Sequence, residues 1–437
     1  MSSLNYLYCV IFAVELIFSI IISKLVFKSI RTPILFFSVL WCVVGFGSNL
    51  CLYGFYSPSS TVNLTISIGI FIFTFFFAIF GLTQDKKRIS FVRNNEVDCR
   101  INVSLFRLLN AFAILIELIF FAVSLGFLIS SGFSFALLRG NVINIFSKLG
   151  LLNDIRDYLT KNIITCTSLI AVVYFFCGKN KRFKKETLFI ALIENTLFCF
   201  SNAARGALVN LIMYILFAAI IFGGNKIKTF FKKYKKILAV FLVAVLFVLF
   251  MQFKRTSNSI GETIYIYYFA GPSYMTQLIE DSSIIRIGDT YLYGNGTFGF
   301  ITNFYHFLSS RLFGINNSAE KLIVSDITVK QYFVGDGYYI NAMSTCFYVF
   351  LLDFGFYGMV IGPLILSILL FLFFRRTKNN RIFDFCIYVY LLNVLIRTVF
   401  KWELIYIDFS FVVLFMFLLC FKSKKHSVAL KGELLKA

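Results

Sequence analysis

Long apolar runs separated by short, basic gaps dominate the chain. Runs of about 18–22 residues have the length of helical membrane crossings, whereas barrel strands alternate over about ten. The pattern predicts spans near 6–23, 34–54, 62–82, 107–129, 162–178, 187–203, 206–223, 237–253, 341–374, 382–400 and 405–421. The expected fold is therefore an all-α integral membrane protein, a polytopic helical bundle of about 11 transmembrane helices with one large outer loop. Its expected organisation is helices one to eight over 1–253 with a smaller outer loop near 130–161, the large loop over 254–340, helices nine to eleven over 341–421, and a basic tail over 422–437. The first run has neither a charged n-region nor a small-residue cleavage site, so it reads as a retained helix.

Composition supports the membrane reading. Of 437 residues 59% are hydrophobic and 14% charged, against about 45–50% and about 25% in soluble domains. The net charge of +21 is explained by topology, because Lys and Arg are retained on the cytoplasmic side. Alternate gaps hold Lys24, Lys28 and Arg31, then Lys86 to Arg107, Lys179 to Lys185, Lys226 to Lys236, Arg375 to Arg381, and the tail from Lys422. Anionic lipid headgroups account for such charge, and nucleic-acid binding loses its motive. Nine of the ten cysteines fall in apolar segments and only two His exist, which argues against a disulfide framework and a structural zinc site. No phosphate-loop or dinucleotide glycine pattern occurs, so ATP-driven transport and enzymes taking substrate from the cytosol are excluded. No cofactor is expected.

Chemistry is expected on the outer face. The 254–340 segment, about 85 residues, is far longer than ordinary connections. It mixes Tyr305 and a dozen other Tyr and Phe with Asn, Asp, Gly and Ser, a combination that stacks on sugar rings and hydrogen-bonds their hydroxyls. Arg139, Arg205, Arg255, Arg286, Arg311 and Arg397 lie outside or near the outer ends of spans. Placed against the positive-inside bias, they suggest an anionic partner whose phosphate oxygens match the guanidinium fork. Arg205 is the sharpest case, in the tight turn Ser201-Asn202-Ala203-Ala204-Arg205-Gly206. His306 is the outer-face histidine, suited to a general base; Glu280, Asp281 and Asp336 are rivals. Asp353, before Gly355 and Gly358, marks a break in a long run, capping a second half-helix or pairing with Arg397 or Lys401. Glu15, Glu117, Glu194 and Asp353 fall inside spans, without an evident basic partner at mid-span.

With Arg205-Gly206 on a turn, the long outer loop, and Asn341-Ala342-Met343-Ser344-Thr345 leading to Asp353-Phe354-Gly355-Phe356-Tyr357-Gly358, the chain resembles the Wzy family of O-antigen polymerases. Arg139 followed eleven residues later by Gly150 is similar to an arginine–glycine pattern of some members. The resemblance implies a multi-pass bacterial inner-membrane glycosyltransferase with its active face periplasmic. It would move the growing glycan from undecaprenyl diphosphate to a new lipid-linked oligosaccharide repeat unit, and would work beside a flippase and a chain-length regulator. On this reading Arg139 and Arg205 stabilise the leaving diphosphate, and His306 or Asp336 accepts the proton of the attacking hydroxyl. Arg255, Arg286, Tyr305 and Asp353 are the expected substrate contacts. Two alternatives remain: an O-antigen ligase, and a lipid-linked oligosaccharide flippase or other transporter.

Overall fold

A computed structural model of the chain describes residues 3–83, 97–222, 259–281, 292–313, 331–340 and 344–421. The span expected at 237–253, the basic tail, Arg255 and Arg286 lie outside the described residues. The described residues are mostly helical, and their one sheet is a two-stranded hairpin. Five helical stretches are long and apolar enough to cross a membrane, which marks a membrane protein: Ser3–Phe27, Ser60–Leu82, Val103–Ser130, Leu151–Cys177 and Thr345–Asn379, the last interrupted at Gly355–Tyr357. Shorter apolar helices cover Pro33–Asn49, Gly206–Phe222 and Asp408–Cys420.

The chain forms two compact units: 1–91 with 258–378 and 391–410, and 92–257 with 379–390 and 411–437. The first unit contains α1 (Ser3–Phe27), α2 (Pro33–Asn49) and α3 (Ser60–Leu82). Their starts follow local chemistry: Thr32 accepts from the Leu35 amide and Ser59 from the Val62 amide, each satisfying an otherwise orphaned donor. Small residues allow the close approach expected between membrane helices, and polar side chains in the interior answer one another. Ser19 and Ser38 both meet Thr74, at 3.3 and 3.2 Å, and Asn49 and Asn63 form a reciprocal amide pair at 2.8 and 3.2 Å.

The second unit contains α4 (Val103–Ser130), α5 (Phe135–Ser147), α6 (Leu151–Cys177), α7 (Lys181–Ser201) and α8 (Gly206–Phe222). Helix α6 is π-wound over Arg156–Thr160, a local widening often found at functional positions.

The segment expected as a large loop is folded where it is described. It supplies α9 (Ile260–Glu280) and α10 (Gly299–Phe313) to the first unit, followed by β1 (Tyr332–Gly335) and β2 (Tyr338–Ile340), paired antiparallel. A reciprocal capping box between Ser259 and Glu262 starts α9. That helix is tied to the end of α2 and the connection after it: Tyr265 donates to the Gly47 carbonyl at 2.7 Å, Ser48 to the Phe269 carbonyl at 2.7 Å, and Ser273 to the Tyr56 carbonyl at 2.6 Å.

The run expected as one span at 341–374 is two helices in the described part, α11 (Thr345–Phe354) and α12 (Gly358–Arg376), joined by a single 3₁₀ turn at Gly355–Tyr357. At ten residues, α11 is about 15 Å long, half the hydrocarbon thickness. The chain doubles back here. Cβ atoms added at Gly358 and Gly362 would lie 2.1 Å from the Phe350 carbonyl oxygen and the Phe350 ring, so only glycine lets the two helices meet so closely. Helices α13 (Ile382–Arg397) and α14 (Asp408–Cys420) follow, each divided between the two units.

Gly358→Ala is expected to lower the thermal unfolding midpoint in detergent, by an overpacking cost of about 1–3 kcal/mol. Gly140→Ala, where nothing lies within 4 Å of the added atom, is expected to leave it unchanged or raise it.

Candidate functional site

The turn between α7 and α8 is built from its own sequence. Asn202 ends α7, its amide reaching the Phe198 carbonyl through Nδ2 at 2.7 Å. Ala203 is fully buried with φ of 45°, a left-handed conformation that only tight surroundings maintain in a non-glycine residue. The Arg205 carbonyl accepts the Val209 amide at 3.1 Å and so opens α8, leaving Arg205 half-buried at the helix entrance.

Arg139 approaches the same turn from the second turn of α5. Ser134 caps that helix through the Leu137 amide, Leu138 is buried against a cluster that includes Ala203 and Phe120, and Arg139 Nη1 donates to the Asn202 carbonyl at 3.4 Å. Gly150, with φ of 52°, caps the start of α6. The eleven-residue spacing from Arg139 to Gly150 is thus the remainder of α5 after Arg139 plus the left-handed turn that releases α6, and α6 carries the next charged group inward.

That group is Arg156, which the sequence reading passed over. Arg156 is 1% and Glu117 0% exposed. The guanidinium meets both carboxylate oxygens, Nε to Oε1 at 2.8 Å and Nη2 to Oε2 at 3.0 Å. Nη2 also donates to Ser201 Oγ at 2.6 Å and Nη1 to Asn202 Oδ1 at 3.2 Å. Its carbon lies 4.3, 4.7 and 4.9 Å from the ring centres of Phe120, Phe146 and Phe198, a cation–π cage. The expectation that the acids within spans lack basic partners is therefore corrected for Glu117. A signal existed: an acid in the middle of an apolar helix requires a cation somewhere, but nothing in the sequence says that the cation sits 39 residues later. Asn202 joins the pieces, accepting from Arg156 through its side chain and from Arg139 through its backbone.

The other expected residues lie in the first unit. Asp336 is exposed on the hairpin turn, its amide donating to the Gly54 carbonyl at 3.0 Å and its Oδ1 accepting from the Tyr56 hydroxyl at 3.3 Å. Asp281 accepts the Tyr332 hydroxyl; burial first, and that carboxylate second, raise the Tyr332 phenol above its ordinary value. Tyr305 and His306 stand together on α10, ring centres 5.8 Å apart. Tyr305 is 67% exposed, and His306 Nδ1 is buried with no hydrogen-bond partner among the described residues.

Asp353 is an anchor within the fold. It is 1% exposed and accepts from the amides of Gly296 and Thr297 and from the Thr297 hydroxyl, fixing the loop that leads into α10. Trp402 Nε1 holds the same loop through the Thr297 carbonyl at 3.1 Å. Arg397 and Lys401 both pair with Glu403.

The structure thus brings Arg139 and Arg205 to one turn over the Arg156–Glu117 pair, and places Asp336 and His306 on separate elements of the other unit. Comparisons with protein-family models, curated proteins and solved structures return no match.

Arg156→Met is expected to destabilise by about 3–5 kcal/mol, because it strands the buried Glu117 carboxylate, whereas Arg156→Met with Glu117→Leu is expected to regain most of that loss. Thermal unfolding of the three proteins in detergent checks the order.

Proposed function

We propose that the chain is a membrane glycosyltransferase of the O-antigen polymerase kind, with about 11 crossings and its active face periplasmic in a bacterial inner membrane. The observation that carries this reading is the convergence of Arg139 and Arg205 on a turn held by the caged Arg156–Glu117 pair. Two arginines at a fixed turn, Arg205 on it and Arg139 reaching it from α5, suit a diphosphate, since each guanidinium grips phosphate oxygens as a fork and a rigid mount avoids ordering them at the moment of reaction. The donor is glycan linked to undecaprenyl diphosphate, a leaving group that needs no ATP.

In this mechanism Arg139 and Arg205 bind the donor diphosphate and stabilise the charge that builds as the anomeric bond breaks. The hydroxyl of the incoming lipid-linked repeat unit attacks and gives its proton to a general base. The aromatic surface carrying Tyr305 supports the glycan, with Arg255 and Arg286 as further substrate contacts. Membrane lipids surround the chain, and a flippase and a chain-length regulator are its expected partners.

Deleting this gene alone should reduce surface glycan to a single repeat unit on the lipid core, with complementation restoring the ladder. Loss of all attached glycan with long lipid-linked polymer accumulating would identify a ligase instead, and units trapped on the cytoplasmic side a flippase. Arg205→Lys should lose most polymer while the protein still accumulates, because a point charge does not replace the fork. Polymer of wild-type length and yield would remove Arg205 from the site.

A further inference from the structure

Helix α10 carries its polar side inward and its apolar side outward. Ile301, Tyr305, Leu308 and Leu312 follow one another at intervals of three and four residues, so they share one face. They are 43–71% exposed, and Phe298, just before the helix, continues the row. On the other side Asn303 and Ser309 are buried, as is Nδ1 of His306. A helix on a water-facing surface turns its apolar row to the core and its polar residues out; α10 reverses that order, although it belongs to the segment whose composition reads as an outer loop.

The inward side is fastened, which fixes the direction of the stripe. Asn303 Nδ2 donates to the Ile405 carbonyl and Ser410 Oγ to the Phe300 carbonyl, and the Phe300 and Phe409 rings meet edge to face at 5.0 Å. A Cβ atom added at Gly299 would lie 2.4 Å from the Ile405 carbonyl oxygen, so the start of α10 rests directly on backbone. The segment beneath it, residues 402–410, runs into the apolar helix α14.

Water, protein and lipid are the possible covers for this stripe. Water is disfavoured by four large apolar side chains in one row. A protein partner is offered little to register on: the Tyr305 hydroxyl is the one polar group among the four side chains, whereas protein interfaces carry about one hydrogen bond per 100–200 Å². Hydrocarbon requires no such group. The outward row of α1, a helix of membrane-crossing length, has the same character: Leu7, Val10, Val14, Ile17 and Ile21 are 49–59% exposed.

We propose that α10 is a bilayer-docking helix: Ile301, Tyr305, Leu308 and Leu312 seat in the boundary between phospholipid headgroups and acyl chains. Because the stripe runs the length of the helix, α10 lies along the membrane surface and does not cross it. Tyr305 then holds its hydroxyl at headgroup depth, where tyrosines of membrane proteins gather, level with the first sugars of a lipid-linked glycan. The docking holds whether or not the chain transfers glycan.

Tryptophan placed on the stripe reads what covers it, because the native Trp41 and Trp402 are buried and their signal is subtracted with the wild type. Full-length Leu308→Trp and Leu312→Trp are reconstituted in phosphatidylcholine vesicles with and without bromine on the upper part of one acyl chain, beside Leu7→Trp at the end of the outward row of α1. Brominated lipid should quench the added fluorescence at both positions by as large a fraction as at Leu7→Trp. Added fluorescence indifferent to brominated lipid at either position overturns the proposal, and acrylamide then gives the cause: quenching by acrylamide puts the stripe in water, and its absence puts the stripe under protein, a second copy of the chain included. Should Leu308→Trp fail to accumulate, Ile301→Trp in the first turn replaces it, and the same comparison decides.

Discussion

Hydrocarbon returns no hydrogen bond to a polar group that gives one up, so a polar group inside this protein is costly unless it brings its partner with it. The helices are one answer, closing the backbone upon itself. The side chains are another: Asn49 faces Asn63, Asn110 faces Thr167, and Glu117 is matched by Arg156 oxygen for nitrogen. Where regular backbone stops, as in the loop before α10, Asp353 and Trp402 supply the acceptor and the donor that the helix no longer provides.

A buried ion pair is weak evidence for stability, since removing two charges from water can cost as much as their attraction returns. Its value here is geometric. Once Glu117 and three phenyl rings fix the Arg156 plane, the remaining donors point at Ser201 and Asn202, and the end of α7 has one place to be. The turn that follows inherits that precision, as does Arg205 upon it. A flexible arginine on a loop would have to be ordered by its ligand; one mounted on a saturated network is ordered by the fold.

The sequence discloses what depends on local length and periodicity. Helix-length apolar runs give α1 to α4 and α6 to α8, and Asp353-Phe354-Gly355 marks a break because no span carries an acid and a glycine together without cause. The stretch over α9 and α10 reads as loop because its tyrosines, glycines and Pro272 dilute the apolar signal; the hydrogen bonds of α9 to the end of α2 join residues that no single window contains. The arginines at 139 and 205 stand out because they oppose the charge bias. Arg156 does not, since among outer basic residues it looks like any other, and only tertiary packing carries it to Glu117.

The doubled-back hairpin of α11 and α12 bears on how the protein is made. A ten-residue helix offers the insertion machinery too little apolar length to be released into lipid on its own. Its seat, the groove opened by Gly358 and Gly362, belongs to the helix synthesised after it. Synthesis and assembly therefore differ in order at this point: α11 leaves the ribosome before the surface it packs on exists, and Phe350 finds its place only once α12 has been made.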